Sequence, residues 1–215
     1  MKNKQKILYM AAALLPMLLV LLFYPTLPEQ VPTRFNMGQI AAYGPKSTLL
    51  LLGCIPILIA VLFPLLKKFD PKKENYRYFE SIFYQFAIII NFFLLLMLAV
   101  CILEAKAPGR IRVENIIFAS LGFLFAFMGN FLPKIKQNFG LGLRTRWTLS
   151  SEENWQKTHR FAGKIYFFCG ILLLVTGLLP LSQWTLYLPA IAILLIIILA
   201  PVSYSFWEYQ RSQRL

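Results

Sequence analysis

The chain has 215 residues, of which 58% are hydrophobic and only 14% are charged, and its formal net charge is +13 at pH 7. A soluble domain usually has about a quarter of its residues charged, so this composition excludes an ordinary soluble domain and favours a membrane protein. A basic protein often binds nucleic acid. Here the basic residues follow a membrane pattern instead, and we expect no direct contact with nucleic acid.

Six apolar runs are each long enough to cross a bilayer, which requires a helix of about 20 residues. They cover approximately residues 6–24, 48–66, 82–103, 112–132, 162–180 and 184–206. Their apolar residues are continuous rather than alternating, and backbone polar groups in lipid must be satisfied within the spanning segment, so helices are predicted. The sequence therefore predicts an all-α, polytopic membrane protein with six transmembrane helices.

The basic residues are concentrated on one side of this predicted topology. That side, which includes both termini, holds 17 of the 22 lysines and arginines, whereas the other side holds Arg34, Lys46, Lys106, Arg110 and Arg112. Because cytoplasmic loops carry the excess of basic residues, both termini are predicted to be cytoplasmic. The basic side chains would then orient the helices and contact anionic membrane lipid.

The predicted outer loop between the first two helices, residues 26–46, is rich in proline and glycine. Proline fixes φ and glycine permits positive φ, which favours a structured, turn-rich loop over a helix. The loop is either a rigid connector or a ligand-binding surface. The second interpretation makes these residues the candidate contacts: Arg34, Phe35, Asn36, Tyr43 and Lys46.

Several residues inside or between the apolar runs have more than one interpretation. Pro56 and Pro64 would kink the second helix unless neighbouring groups satisfy the carbonyls they leave free. Gln85 and Asn91 are predicted to make interhelical hydrogen bonds, or else to line the path of a transported solute. The loop 67–80 has mixed charge and is interpreted as a solvated connector.

The longest polar segment, residues 130–158, lies between the fourth and fifth apolar runs. Ser150 and Glu153 have the spacing of a capping box and predict the start of a helix. One face of that helix would carry Trp155 and His159, and we expect Trp155 to lie at the lipid headgroups. Small residues before the segment, among them Gly129, would let a neighbouring helix approach closely.

Two arginines and two glycines lie close together just before that helix. Glycine lets the backbone expose N–H groups, and the guanidinium of Arg144 or Arg146 presents a planar fork to carboxylate or phosphate. With Trp147, the arginines form an anion site, a lipid clamp, or an internal pair with Glu152 or Glu153; the sequence leaves these alternatives open.

Catalysis and metal binding have little support in the sequence. His159 is the single histidine, and the three cysteines all fall within apolar runs without metal-ligand spacing. A lone histidine on a helix face is more often a packing or hydrogen-bonded residue than a base. No catalytic residue, metal or cofactor is predicted. A lipid-headgroup enzyme would need Arg144, Arg146 and His159 to gather in one pocket.

The polar segment also resembles a known signature. The matching residues are Gly129-Asn130, Asn138, Gly142, Arg144-Thr145, Trp147-Thr148, Trp155, Thr158 and Gly163. They closely resemble the signature of the SdpI family, membrane immunity proteins of Firmicutes and relatives that are tied to the sporulation-delay peptide toxin. The outer loop is similar to the short domain of unknown function that often precedes this signature, although Arg34 replaces a common histidine and Ala41 an acid.

The resemblance implies a function in the bacterial cell membrane. It implies protection against a secreted antimicrobial peptide toxin, and a sensor role in which the protein sequesters a cytoplasmic repressor. The ligand- or partner-binding residues that it implies are Asn130, Asn138, Arg144, Thr145, Arg146, Trp147, Trp155 and His159. A transporter of small solutes or lipids is the competing class.

Three regions follow from this reading of the chain. Residues 1–66 form an N-terminal two-helix unit with an ordered extracellular loop, and residues 67–114 a central helix with its connecting loops. Residues 115–215 form the signature unit, with a cytoplasmic loop and three helices.

Overall fold

The computed structural model describes residues 3–36 and 39–214. In this part of the chain the α-helices are α1 (Asn3–Phe23), α2 (Ser47–Phe69), α3 (Glu80–Lys106), α4 (Val113–Phe131), α5 (Arg146–Ser150), α6 (Glu152–Leu178) and α7 (Gln183–Ser212). All except the five-residue α5 are long and apolar enough to cross a membrane. The predicted all-α architecture with six transmembrane helices is confirmed.

The loop after α1 contains a β-hairpin that the sequence did not predict. Strands β1 (Gln30–Asn36) and β2 (Gln39–Pro45) pair antiparallel, with two irregularities in the register of β1 against β2. Pro32 in β1 and Gly44-Pro45 in β2 hide the alternation that normally marks a strand. The two residues between the strands, Met37 and Gly38, lie outside the described residues.

The helices and the hairpin group into two compact units. The first comprises Met1–Pro64 and Tyr84–Ile117, and the second Leu65–Phe83 and Phe118–Leu215. The chain therefore contributes to each unit twice. The three-part division predicted from the sequence remains a prediction.

In the first unit, α1 packs against α2 and α3 through small residues. Ala12 and Ala13 of α1 are buried together with Ala60 of α2 and Ala87 of α3. A second buried cluster anchors the hairpin, since Val31 is packed with residues of all three helices. The hairpin is thus held in place by apolar burial, which makes it an ordered structure rather than a loose loop.

Pro64 lies inside α2 without ending the helix. A proline at this position cannot donate to the carbonyl four residues earlier, which belongs to Ala60. The hydroxyl of Tyr9 donates to that carbonyl at 2.9 Å. Tyr9 of α1 therefore satisfies the carbonyl that Pro64 leaves free. This is the condition under which the sequence predicted that α2 would continue through the proline.

In the second unit, α4 and α6 approach each other closely through glycines. A Cβ added to Gly129 would fall on the backbone of Phe167 and Gly163, and one added to Gly122 would fall on Leu174. The close approach predicted from the small residues is confirmed. Helix α7 packs on α6, and the rings of Phe161 and Tyr204 stack with centroids 4.4 Å apart.

Asn91 of α3 does not fit its predicted role. Its side chain is fully buried, and neither amide atom has a hydrogen-bond partner within the described residues. The interhelical hydrogen bond predicted for Asn91 is therefore wrong. A buried amide without a hydrogen-bond partner costs free energy, which makes Asn91 a destabilising residue of the first unit.

Candidate functional site

The signature segment, defined here as residues 132–159, begins with a short turn after α4 and ends in the second turn of α6. Helix α5 opens with a capping box in which the side chains of Thr145 and Thr148 exchange hydrogen bonds with each other's backbone N–H groups. Helix α6 is capped by Ser151, whose hydroxyl accepts from the N–H of Asn154. The predicted box at Ser150 is wrong, because α5 includes Ser150 and delays the next helix start by one residue.

Asn138 shapes the irregular chain between α4 and α5. Its Oδ1 accepts from the N–H groups of Gly140 at 2.9 Å and Leu141 at 2.6 Å. Its Nδ2 donates to the carbonyls of Lys136 and Leu141. The fully buried side chain therefore bonds only to the protein, and Asn138 fixes the turn instead of presenting a contact to a ligand.

Gln137 joins this turn to α5 and to the connector that precedes α3. Its Nε2 donates to the carbonyls of Thr148 at 2.7 Å and Leu149 at 2.9 Å. From the connector, the ammonium of Lys72 donates to Gln137 Oε1, and Asn75 Nδ2 donates to the Gln137 carbonyl at 2.7 Å. One buried glutamine thus connects three parts of the second unit.

Asp70 holds the signature segment from the same connector. Its carboxylate accepts from the N–H of Lys72, the hydroxyl of Tyr76 and the N–H of Phe139, each at 2.7 Å. Burial raises the pKa of Tyr76 above its usual range, and the hydrogen bond to Asp70 raises that pKa further. Tyr76 therefore remains a neutral donor at physiological pH.

The interpretation of residues 67–80 as a solvated connector is wrong. Asp70 and Tyr76 are buried, and the connector supplies the bonds that position the signature segment. Sequence reasoning missed these residues because their partners in the signature segment lie more than 60 positions away. The one local signal was the apolar spacing of Tyr76, Phe79 and Phe83, all of which are buried.

Trp155 and His159 form the core of the segment. Trp155 is fully buried and its Nε1 donates to the carbonyl of Ile135 at 2.8 Å, so the predicted position at the lipid headgroups is wrong. The His159 ring stacks on Trp155 with centroids 4.0 Å apart. The indole is held inside because its only polar atom finds a backbone acceptor there.

Both nitrogens of His159 are engaged. Nδ1 lies 2.8 Å from the carbonyl of Trp155, and Nε2 accepts from the N–H of Leu143 at 3.1 Å. This pattern assigns the proton to Nδ1 and a neutral ring. His159 is the packing and hydrogen-bonded residue that the sequence favoured, since it is fully buried and both ring nitrogens contact backbone groups.

Gly142 makes this arrangement possible. Its φ is +115°, a conformation that side chains rarely adopt, and an added Cβ would lie 2.5 Å from His159 Nε2 and 3.1 Å from the Trp155 ring. Glycine is therefore required here for two independent reasons.

Arg144 and Arg146 lie at the surface of the segment, next to the half-buried Trp147. The guanidinium of Arg144 donates to the carbonyl of Phe139, and that of Arg146 lies 4.9 Å from the Trp147 ring centroid. Both arginines are exposed, and Trp147 packs against Phe206 of α7.

The acidic residues that follow, Glu152 and Glu153, do not neutralise the two arginines. Glu153 pairs with Lys157 at 2.7 Å, and within the described residues no ion pair joins Arg144 or Arg146 to Glu152 or Glu153. Their internal pairing, one of the alternatives left open, is thus not formed. The segment therefore presents Arg144 and Arg146 as exposed cations on an internally hydrogen-bonded base.

The remaining predicted signature residues contact their own helices or α7. Thr145 Oγ1 lies 3.2 Å from Ser205 Oγ of α7, in addition to its role in the capping box. Asn130 is exposed, and its Nδ2 donates to the Ala126 carbonyl at 3.2 Å.

The candidate contact residues of the hairpin belong to the first unit, and they differ in solvent exposure. Arg34, Asn36 and Tyr43 are exposed and Phe35 is half-buried. Lys46 pairs with Glu29 at 2.9 Å and lies 5.1 Å from the Tyr24 ring centroid, so it closes the base of the hairpin. Within the described residues no three His, Cys, Asp or Glu side chains are grouped as a metal site.

These features define an all-α polytopic membrane protein with an internally bonded polar segment before its last two helices. Residues 134–205 match the SdpI/YfhL protein family, and residues 11–64 match a domain of unknown function (DUF1648). The chain is 24% identical over 212 residues to the immunity protein SdpI of Bacillus subtilis (strain 168), covering 98% of this chain and all of that protein. No solved structure matches the chain significantly. The family resemblance predicted from the sequence is confirmed.

Proposed function

We propose that the protein is an integral membrane immunity protein that protects its cell against a secreted antimicrobial peptide toxin. The observation that carries this proposal is the similarity over essentially the whole chain to a protein named for immunity. It includes both the N-terminal domain with its hairpin and the signature segment. The similarity therefore extends over both regions on which this proposal depends.

In this proposal the hairpin and the signature segment have different functions. With both termini cytoplasmic, the hairpin faces the outside, where its exposed Arg34, Asn36 and Tyr43 meet the peptide together with membrane lipid. The signature segment faces the cytoplasm. Its buried hydrogen bonds hold Arg144 and Arg146 in place, and these cations act by contact with a partner or with lipid headgroups.

A sensor role extends the proposal. Toxin engagement would let the cytoplasmic face recruit a repressor and hold it away from DNA. The exposed arginines support this role because a cationic, preorganised face suits a partner with an acidic surface. A fluorescently labelled candidate repressor should move to the membrane on toxin addition, and should stay soluble with the variant Arg144→Gln/Arg146→Gln.

Survival under toxin tests the immunity proposal itself. A sensitive bacterium that expresses the protein should survive the sporulation-delay peptide toxin at concentrations that kill the same strain carrying an empty vector. Membrane fractions must contain the protein, so that a negative result is not caused by failed insertion. Equal killing with correctly inserted protein would contradict the proposal.

A further inference from the structure

A groove opens on the second unit between the end of α4 and the middle of α6. Its volume is about 380 Å³, and its lining includes Asn130, Pro133, Arg160, Lys164, Phe167 and Phe168. This volume lies within the range of about 300–1,000 Å³ that is typical of small-molecule sites. Gly129 and Gly163, which lie where α4 and α6 approach closely, also line the groove.

One end of the groove is cationic and has no counter-ion in the described chain. Arg160 and Lys164 lie one turn apart on α6, both exposed, and neither takes part in a hydrogen bond or an ion pair among the described residues. None of the described residues that line the groove carries a carboxylate. Lys157, one turn earlier on α6, forms ion pairs with Glu153 at 2.7 Å and with Glu208 at 2.5 Å. These two carboxylates are therefore already paired.

The other end of the groove is apolar and open. Phe168 is 69% exposed and lies beside Phe167, one turn further along α6 than Lys164. A side chain of this size exposed next to a pair of cations gives the groove an amphipathic character. The groove therefore fits a ligand with an anionic head and an apolar tail.

The length of α6 places these two ends at different depths in a membrane. At 1.5 Å per residue, its 27 residues extend about 40 Å, whereas the hydrocarbon core is about 30 Å thick. About 20 residues counted back from Leu178 end near His159. Arg160 then lies at the boundary of the hydrocarbon, and Lys164 lies about one turn inside it, from where its long side chain extends back to the headgroups. Phe167 and Phe168 lie one turn deeper in the hydrocarbon.

We propose that this groove binds an anionic phospholipid. The phosphate contacts Arg160 and Lys164, and the Asn130 amide contributes the N–H that it does not donate to Ala126. One acyl chain lies along Phe167 and Phe168. The site is separate from Arg144 and Arg146, and its existence does not depend on the immunity proposal.

Lipid retention measured by native mass spectrometry tests this site. Purified protein is transferred from nanodiscs of phosphatidylglycerol and phosphatidylcholine into detergent, and the lipid that remains bound is identified. The wild type should retain phosphatidylglycerol preferentially. Because each basic residue near an anionic surface contributes roughly fivefold in affinity, the variant Arg160→Gln/Lys164→Gln should lose about ten- to thirtyfold of this retention.

A matched variant separates a built site from general surface charge. Arg211→Gln/Arg214→Gln also removes two exposed cations, near the end of α7, and should retain phosphatidylglycerol within about twofold of the wild type. An equal loss in both variants, or no preference for phosphatidylglycerol in the wild type, would overturn the proposal.

A photoreactive lipid gives an independent result on the unmodified protein. Phosphatidylglycerol with a diazirine in its acyl chain should label α6 near Phe167 and Phe168, and unlabelled phosphatidylglycerol should compete better than phosphatidylcholine. Labelling confined to other helices would contradict the proposed site.

Discussion

At the scale of single residues, the polar side chains of the signature segment mostly serve its structure. Asn138, Trp155 and His159 were predicted to contact a ligand or partner, yet each is buried and hydrogen-bonded within the protein. Substitutions of these residues therefore disturb the fold of the segment, whereas Arg144 and Arg146 can be changed at the surface.

Gly142→Ala should destabilise the second unit. The substitution combines positive-φ strain, about 1–2 kcal/mol, with a Cβ placed against His159, for which overpacking costs about 1–3 kcal/mol. Gly109→Ala is the matched control, since Gly109 has a φ of +76° but nothing within 4 Å of the added Cβ. Thermal unfolding in detergent should show a clearly larger loss for Gly142→Ala, and equal losses would show that the His159 contact is unimportant.

Tyr76→Phe should weaken the attachment of the signature segment to the connector. The lost hydrogen bond is to a carboxylate, and such bonds contribute about 1.5–3 kcal/mol. Because the pKa of Tyr76 is raised on folding, its contribution is fully present below about pH 10, the ordinary tyrosine value, and is lost at higher pH. The variant should therefore be less stable at neutral pH and lose less stability than the wild type in strong alkali.

The exposed Tyr78 supplies the control for that measurement. Its hydroxyl accepts a hydrogen bond from Arg77 at the surface, so Tyr78→Phe should change the unfolding temperature little. If Tyr76→Phe behaved in the same way, the bond to Asp70 would not stabilise the unit.

At the scale of elements, the sequence predicted what depends on local hydropathy and missed what depends on distant contacts. The six transmembrane helices were found because each is a continuous apolar run, with ends displaced by several residues where polar turns extend the helix. The apolar run of α6 begins ten residues after the helix does, because the first turns of the helix are polar, but the capping residues predicted its start to within one residue. The role of Asp70 could not be predicted, since its partner Phe139 lies 69 positions away.

The path of α2 through Pro64 gives a prediction at this scale. Tyr9→Phe leaves the Ala60 carbonyl without its donor, which should cost about 1–3 kcal/mol. In the background Pro64→Ala, the restored backbone N–H can bond to that carbonyl, and the cost of Tyr9→Phe should largely disappear. A double-mutant cycle of thermal unfolding measures this coupling. Additive effects would show that Tyr9 does not compensate for the proline.

At the scale of the whole molecule, the distribution of basic residues predicts both termini and the signature segment in the cytoplasm. After replacement of Cys54, Cys101 and Cys169 by alanine, one exposed cysteine is introduced by Gln30→Cys in the hairpin or Ser150→Cys in the signature segment. A membrane-impermeant maleimide should label the first in intact cells and the second only after permeabilisation. The reverse pattern would invert the predicted topology.

The central claim is that the protein confers immunity and that its signature segment is required. The most direct measurement is survival under the sporulation-delay toxin, at equal membrane levels, of cells expressing the wild type, Arg144→Gln/Arg146→Gln or Arg211→Gln/Arg214→Gln. We predict that the wild type and the α7 variant protect, and that the signature variant does not. Killing of wild-type cells would contradict the immunity claim, and full protection by the signature variant would contradict the role of its arginines.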